Sequence, residues 1–131
     1  MRYRQVGRTG IFVSEIALGT WLTCENIADR TALNCRFRSA LDLGINFFDT
    51  AGCYGNGLAE QILGESLKGI GRDRFIINTK IYFPYQSELG GLSREAIFRQ
   101  IDSSLKRLRV DYVDILMCHR YDPAVQLDET F

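Results

Sequence analysis

The stretch "INFFDTAGCYGNG", residues 45–57, changes character half-way along. Ile45, Phe47 and Phe48 form a short run of β-branched and aromatic residues, the composition of a buried strand. Gly52, Gly55 and Gly57 then break any regular element and read as a loop. An acid, Asp49, closes the strand, and a phenol, Tyr54, follows in the turn. The question is what a buried strand gains by delivering a carboxylate and then a tyrosine into a glycine-rich turn.

The same alternation of element types continues on both sides. Upstream, "EIALGT" (15–20) is an apolar run that stops at a glycine, and residues 27–43 place Leu33, Phe37, Ala40 and Leu41 at helical spacing before Gly44. Downstream, residues 58–70 read as a helix with Leu58, Ile62, Leu63, Leu67 and Ile70 on one side. "RFIINTKI" (74–81) is a further strand. Ser93 is placed to cap a helix with Ile97, Ile101, Leu105 and Leu108 inward. "VDILMCH" (113–119) is the last strand, and "DPAVQLDETF" (122–131) opens another helix. At the N-terminus, "MRYRQVGRTGIFVSEI" alternates about a Gly-Arg-Thr-Gly turn, the pattern of a β-hairpin.

Strands alternating with amphipathic helices imply parallel βα units, with near-continuous apolar strands covered on both faces. Strand starts at 16, 45, 75 and 113 recur at intervals of 29, 30 and 38 residues. Eight such units make about 250 residues, the usual size of a (β/α)8 barrel. This α/β chain of 131 residues holds four of them, so it is expected to be a single partial domain, the N-terminal half of such a barrel preceded by a hairpin.

Barrels of this kind assemble their active sites from the C-terminal ends of different strands. Read in order, those ends are Gly19-Thr20-Trp21, Asp49, Lys80 and His119, with Tyr54 on the loop after Asp49. Each has an ordinary reading: an aspartate organising a turn, a solvated lysine, a structural histidine, a tyrosine packing its ring. Barrel geometry would bring them to one mouth, where their chemistry is complementary. A phenol free in water titrates near pH 10, too high for an efficient proton donor at neutral pH. A lysine ammonium beside it stabilises the phenolate, a carboxylate anchors the lysine, and a histidine opposite orients a carbonyl oxygen. The set protonates a carbonyl but holds no hydride, which a cofactor must bring.

The totals narrow the function further. Sixteen basic and sixteen acidic residues cancel, and no polybasic run occurs, so bulk charge gives no reason to expect a nucleic-acid or membrane-surface partner. No apolar stretch approaches the roughly 20 residues of a membrane span, and the N-terminus lacks the apolar core of a secretory signal. Cys24, Cys35, Cys53 and Cys118 form no CxxC pair and are expected to be reduced thiols in a cytoplasmic protein. A metal site is not expected, because Cys118 and His119 are strand neighbours that point to opposite faces.

"GINFFDTAGCYGNGLAEQILGESLK", "INTKI" and "SLKRLRVDYVDILMCHRYDP" resemble the aldo-keto reductases, in the branch that includes microbial reductases and the β subunits of voltage-gated potassium channels. The resemblance implies a (β/α)8 barrel that reduces aldehydes and ketones with NADP(H). It implies a catalytic set of Asp49, Tyr54, Lys80 and His119, with Tyr54 as proton donor. Gly19, Thr20 and Trp21 would lie against the nicotinamide side of the cofactor, and Asp49 would approach its ribose. Trp21, Tyr54, Tyr82 and His119 would line the substrate pocket, although "YFPY" (82–85) also fits a loop packing its own rings. The turn departs from the family's usual wording by placing Cys53 beside Tyr54, which raises redox sensitivity as an alternative.

Three readings of a four-unit chain stay open. It is the first half of a longer reductase, or two copies pair through their exposed sheet edges, or it is a non-catalytic regulatory or interaction module like the channel subunits. The first is the expectation adopted, with the substrate a small carbonyl compound.

Overall fold

The computed structural model describes residues 1–22, 30–86 and 89–131. Cys24 and the first three residues of the helix expected over 27–43 lie outside the described residues. A hairpin of β1 (Tyr3–Gln5) and β2 (Phe12–Ser14) precedes β3 (Ala17–Gly19), α1 (Arg30–Asp42) and β4 (Phe47–Asp49). α2 (Leu58–Leu67), β5 (Ile76–Ile81), α3 (Arg94–Leu108), β6 (Ile115–Cys118) and the short α4 (Leu127–Thr130) follow.

β3, β4, β5 and β6 form one sheet in that order, every pair parallel. The order is sequential, with no reversal, so the units wind in one direction as barrel units do. Their helices pack on one face. Leu33, Phe37, Ala40 and Leu41 of α1, Ile62, Leu63 and Leu67 of α2, and Leu108 of α3 form one buried cluster with Phe48 and Ile77 of the sheet. Phe37 meets Phe48 edge-on, ring centroids 5.9 Å apart. Each buried leucine, isoleucine or phenylalanine among them contributes roughly 1.5–3 kcal/mol.

The other face is different, and it departs from the expectation of strands apolar on both sides. Phe47 and Ile76 are only half-buried there and Met117 is exposed, while Asp49, Asn78 and Lys80 bring polar groups to it. Among the described residues β3 and β6 each pair on one side only. The hairpin is tied to the start of β4: the Ser14 amide donates to Asn46 Oδ1 (2.7 Å), Asn46 Nδ2 donates to the Phe12 carbonyl (3.0 Å), and the Tyr3 hydroxyl donates to the Gly44 carbonyl (2.8 Å).

Two helix readings shift. α2 ends at Leu67 rather than at 70, because Lys68 turns extended (ψ 128°) and Gly69 follows with φ +80°. Ser93 caps α3 as expected, accepting from the Ala96 amide. The deepest stripe of α3, however, is Ala96, Gln100, Ser104 and Leu108, with Ile97, Ile101 and Leu105 half-buried beside it. Two polar residues occupy the stripe because Gln100 works as a tether: its Oε1 accepts from the Tyr82 amide (2.9 Å) and its Nε2 donates to the Gly91 carbonyl (2.9 Å). α2 and α3 come so close that a side chain on Gly64 would collide with the Leu108 backbone.

Candidate active site

Strand register brings the polar strand ends together. Gly19 pairs with Asp49 and Asp49 with Asn78, so all three share one face. Lys80 lies two residues beyond Asn78 and therefore on that face as well, opposite Met117. His119 follows β6 directly, its amide bonded to the Ile81 carbonyl (2.9 Å).

Lys80 is the hub. Its Nζ donates to Asp49 Oδ2 (2.7 Å), the Thr50 carbonyl (3.0 Å) and Tyr54 Oη (3.2 Å), which occupies all three ammonium hydrogens. Asn78 Nδ2 donates to Asp49 Oδ1 (2.6 Å), so both carboxylate oxygens are engaged and the anchor cannot rotate away. Tyr54 Oη stands 3.4 Å from His119 Nε2. Tyr54 is aimed here by the turn behind it: Gly55, Asn56 and Gly57 take three successive left-handed conformations (φ +54°, +56° and +81°), which reverse the chain and lead into α2. At Gly57 a side chain would also strike the ring of Tyr85.

His119 is held below the ordinary histidine value, first by burial and then by the Lys80 charge, with Asp49 pulling the other way and Arg120 adding to the lowering. Its ring is therefore neutral at pH 7 and can exchange a hydrogen bond with the phenol. Its Nδ1 is buried without a hydrogen-bond partner among the described residues. Burial raises the neighbouring Cys118 thiol.

An open cleft of about 490 Å³ lies over Tyr54 and His119, lined also by Trp21, Cys53, Phe83 and Arg120. Trp21 is 63% exposed and stacks on Tyr54, ring centroids 6.2 Å apart. "YFPY" divides. Phe83 faces the cleft and meets His119 edge-on (5.3 Å), and Tyr82 packs behind Phe83 (5.1 Å) instead of lining the cleft. Tyr85 lies under the Arg107 guanidinium (4.4 Å). Thr20, expected against a cofactor, is fully buried, and its hydroxyl engages the Asp49 carbonyl (3.2 Å) and Thr50 Oγ1 (2.9 Å). It ties the end of β3 to the end of β4. Gly19, by contrast, has open space where a side chain would stand.

The pattern reading passed over two contributors. Asn78 carried a signal, being the polar residue two places before Lys80 in an otherwise apolar strand. Behind the sheet, Glu60 of α2 is completely buried, accepting from Thr79 Oγ1 (2.6 Å) and from Arg107 Nε (2.7 Å). Arg107 reaches under Gly52, in the turn between Asp49 and Tyr54. Its only signal was a carboxylate set among the apolar positions of α2. Among the described residues no cluster of three or more His, Cys, Asp or Glu could hold a metal, and no helix is long and apolar enough to cross a membrane.

Comparison with known proteins agrees with this architecture. A probable voltage-gated potassium channel β subunit of Oryza sativa subsp. japonica is 38% identical over 99% of this chain and 40% of its own length. A putative voltage-gated potassium channel β subunit of Schizosaccharomyces pombe is 43% identical over 97% of this chain and 39% of its own length. The chain thus spans about two-fifths of the curated relatives it matches. Among solved structures, a thermostable aldo-keto reductase in complex with the inhibitor epalrestat superposes with TM-score 0.86 at 30% identity, covering 99% of this chain and 47% of that one. The holo form of an aldo-keto reductase from Bacillus halodurans superposes with TM-score 0.84 at 34% identity, covering 99% and 44%. The four βα units are the N-terminal half of a (β/α)8 barrel. The family model for the aldo/keto reductases matches residues 15–131, and the chain belongs to that family.

Proposed function

We propose that the protein reduces small aldehydes or ketones to alcohols with NADP(H), Tyr54 delivering the proton. The observation that carries this reading is the placement of Lys80 Nζ between Asp49 Oδ2 (2.7 Å) and Tyr54 Oη (3.2 Å). As the phenol gives up its proton to a carbonyl oxygen, negative charge grows on Tyr54 Oη, and Lys80 meets it with a hydrogen bond already made. Asp49 and Asn78 hold the lysine on that line. Neutral His119 faces the same oxygen and can orient the carbonyl or return the proton.

The hydride is what this set lacks, and it is what a nicotinamide supplies when bound. The residues fit such a group. Gly19 leaves open floor, Asp49 presents a carboxylate one-third exposed, and the Trp21 ring is largely exposed beside Tyr54. These three would hold it, with Thr20 fixing the strand ends beneath. The choice of NADP(H) over NAD(H) follows the family resemblance, and the cytoplasmic location follows the reading of the cysteines as reduced thiols.

A second reading has the relatives' names in its favour: the chain serves in a non-catalytic module, as a channel β subunit. Carbonyl-dependent consumption of NADPH by the whole protein separates the two. Under the reductase reading Tyr54→Phe lowers kcat/KM by about 10²–10⁴ and leaves the melting temperature in place. Turnover within a few-fold of the unaltered protein overturns the assignment of Tyr54.

A further inference from the structure

Among the described residues, Arg120 is the one charged residue lining the cleft over Tyr54 and His119. Its guanidinium lies over the ring of Phe83, 5.4 Å from the centroid, and Phe83 in turn packs on His119. Stacking uses the face of a guanidinium and leaves its edge N–H donors unspent. Among the described residues those donors have no carboxylate partner. The nearest acid in sequence, Asp122, accepts from the Leu92 and Ala124 amides, and Asp49, behind Tyr54, accepts from Asn78 and Lys80. Arg72, Arg99 and Arg107 spend their donors on Asp114, Glu95 and Glu60, whereas Arg120 has no such acid among the described residues and differs from the chain's other unpaired arginines in lining the cleft.

The charge in the cleft is therefore one-sided. Lys80 is neutralised by Asp49, His119 is held neutral, and Arg120 keeps a full positive charge at the rim with its donor edge open. A guanidinium edge matches a carboxylate by two parallel hydrogen bonds.

We infer that the cleft selects carbonyl compounds that carry a carboxylate, with Arg120 as the group that recognises it. This rests on the reading of Tyr54 as the proton donor to a carbonyl, and it names the substrate class of that site. Arg120 binds the carboxylate at the rim, Phe83 packs beneath the guanidinium, and the carbonyl end of the molecule reaches Tyr54. Recognition at an exposed rim weakens as salt rises.

Trp21 is the single tryptophan of the chain and lines the same cleft, so its fluorescence reports occupancy without turnover. The test titrates the protein with 4-formylbenzoate, whose carboxylate and carbonyl stand at opposite ends of the ring, and with its uncharged methyl ester. The acid is expected to bind about tenfold more tightly than the ester. Arg120→Gln is expected to abolish that preference and leave ester binding unchanged. Equal binding of acid and ester, no binding of either, or a preference that survives Arg120→Gln overturns the inference. Tyr54→Phe keeps the two readings apart: it removes turnover if the reductase assignment holds, and it leaves the carboxylate preference intact. A protein that prefers the acid yet turns over no carbonyl refutes the reductase assignment alone.

Discussion

Side chains one residue apart on β5 reach two ion pairs, one on each face of the sheet. Lys80 points to the mouth and meets Asp49 at 2.7 Å; Thr79 points beneath the helices and meets Glu60, which meets Arg107 at 2.7 Å. The distances are equal and the chemistry is similar. The surroundings are not. Glu60 and Arg107 are 0% and 9% exposed, and the carboxylate spends its oxygens on Thr79 and Arg107. Lys80 and Asp49 are 13% and 32% exposed, and the third ammonium hydrogen goes to a group that can lose a proton. A closed network locks a fold, whereas a network ending on a titratable hydroxyl at an open cleft can do chemistry.

The comparison breaks most visibly at Lys80. Lys80→Met is expected to lower turnover about a hundredfold or more, because the phenol oxygen loses the charge that stabilises it. Its stability cost is expected to stay near 1 kcal/mol, since the pair borders solvent. Steady-state kinetics beside a urea titration checks both, and a large stability loss with normal turnover would reverse the roles assigned to the two faces. Glu60→Ala is the mirror case. Removing the carboxylate that faces a buried Arg107 is expected to cost about 3–5 kcal/mol, read as a lower urea midpoint.

A smaller effect sharpens the mouth side. His119 is the single histidine, so its imidazole resonance can be followed without ambiguity. Its midpoint is expected below the ordinary value of 6.5, because burial and Lys80 disfavour the cation. The unfolded chain therefore takes up a proton first as pH falls. The contribution is complete above the unfolded value and is lost on acidification from there down to the lowered folded value. His119→Gln should flatten the urea midpoint across that window, and a midpoint above the ordinary value would reverse the sign. Least of all, Ser93→Ala should cost about 1 kcal/mol by removing the cap of α3, measurable by thermal melting.

The apolar period of α1 and α2 was readable because Leu33, Phe37, Ile62 and Leu63 do nothing but fill space. It misled on α3, where Gln100 and Ser104 sit deepest as polar side chains bonded within the fold. The strand ends were readable for a related reason: a polar residue closing an apolar run has to be placed by something other than burial. Tyr82 and Thr20 were harder. Which ring of "YFPY" faces the cleft depends on the Gln100 tether, and the burial of Thr20 depends on its bond to Thr50, neither of which leaves a mark on spacing. Glu60 was hidden because a charge in a helix pattern reads as an outward residue until its partner on another helix is known.

The opposed placement of Thr79 and Lys80 also bears on how this segment can vary over generations. Side chains alternate along a strand, so inserting or deleting one residue in β5 would turn Lys80 under the helices and Thr79 toward the mouth. Point substitutions at either position can be graded in their effect. A change of length there removes a scaffold and a reactive group at one stroke, so gaps among descendants of this sequence belong in its loops and not in β5.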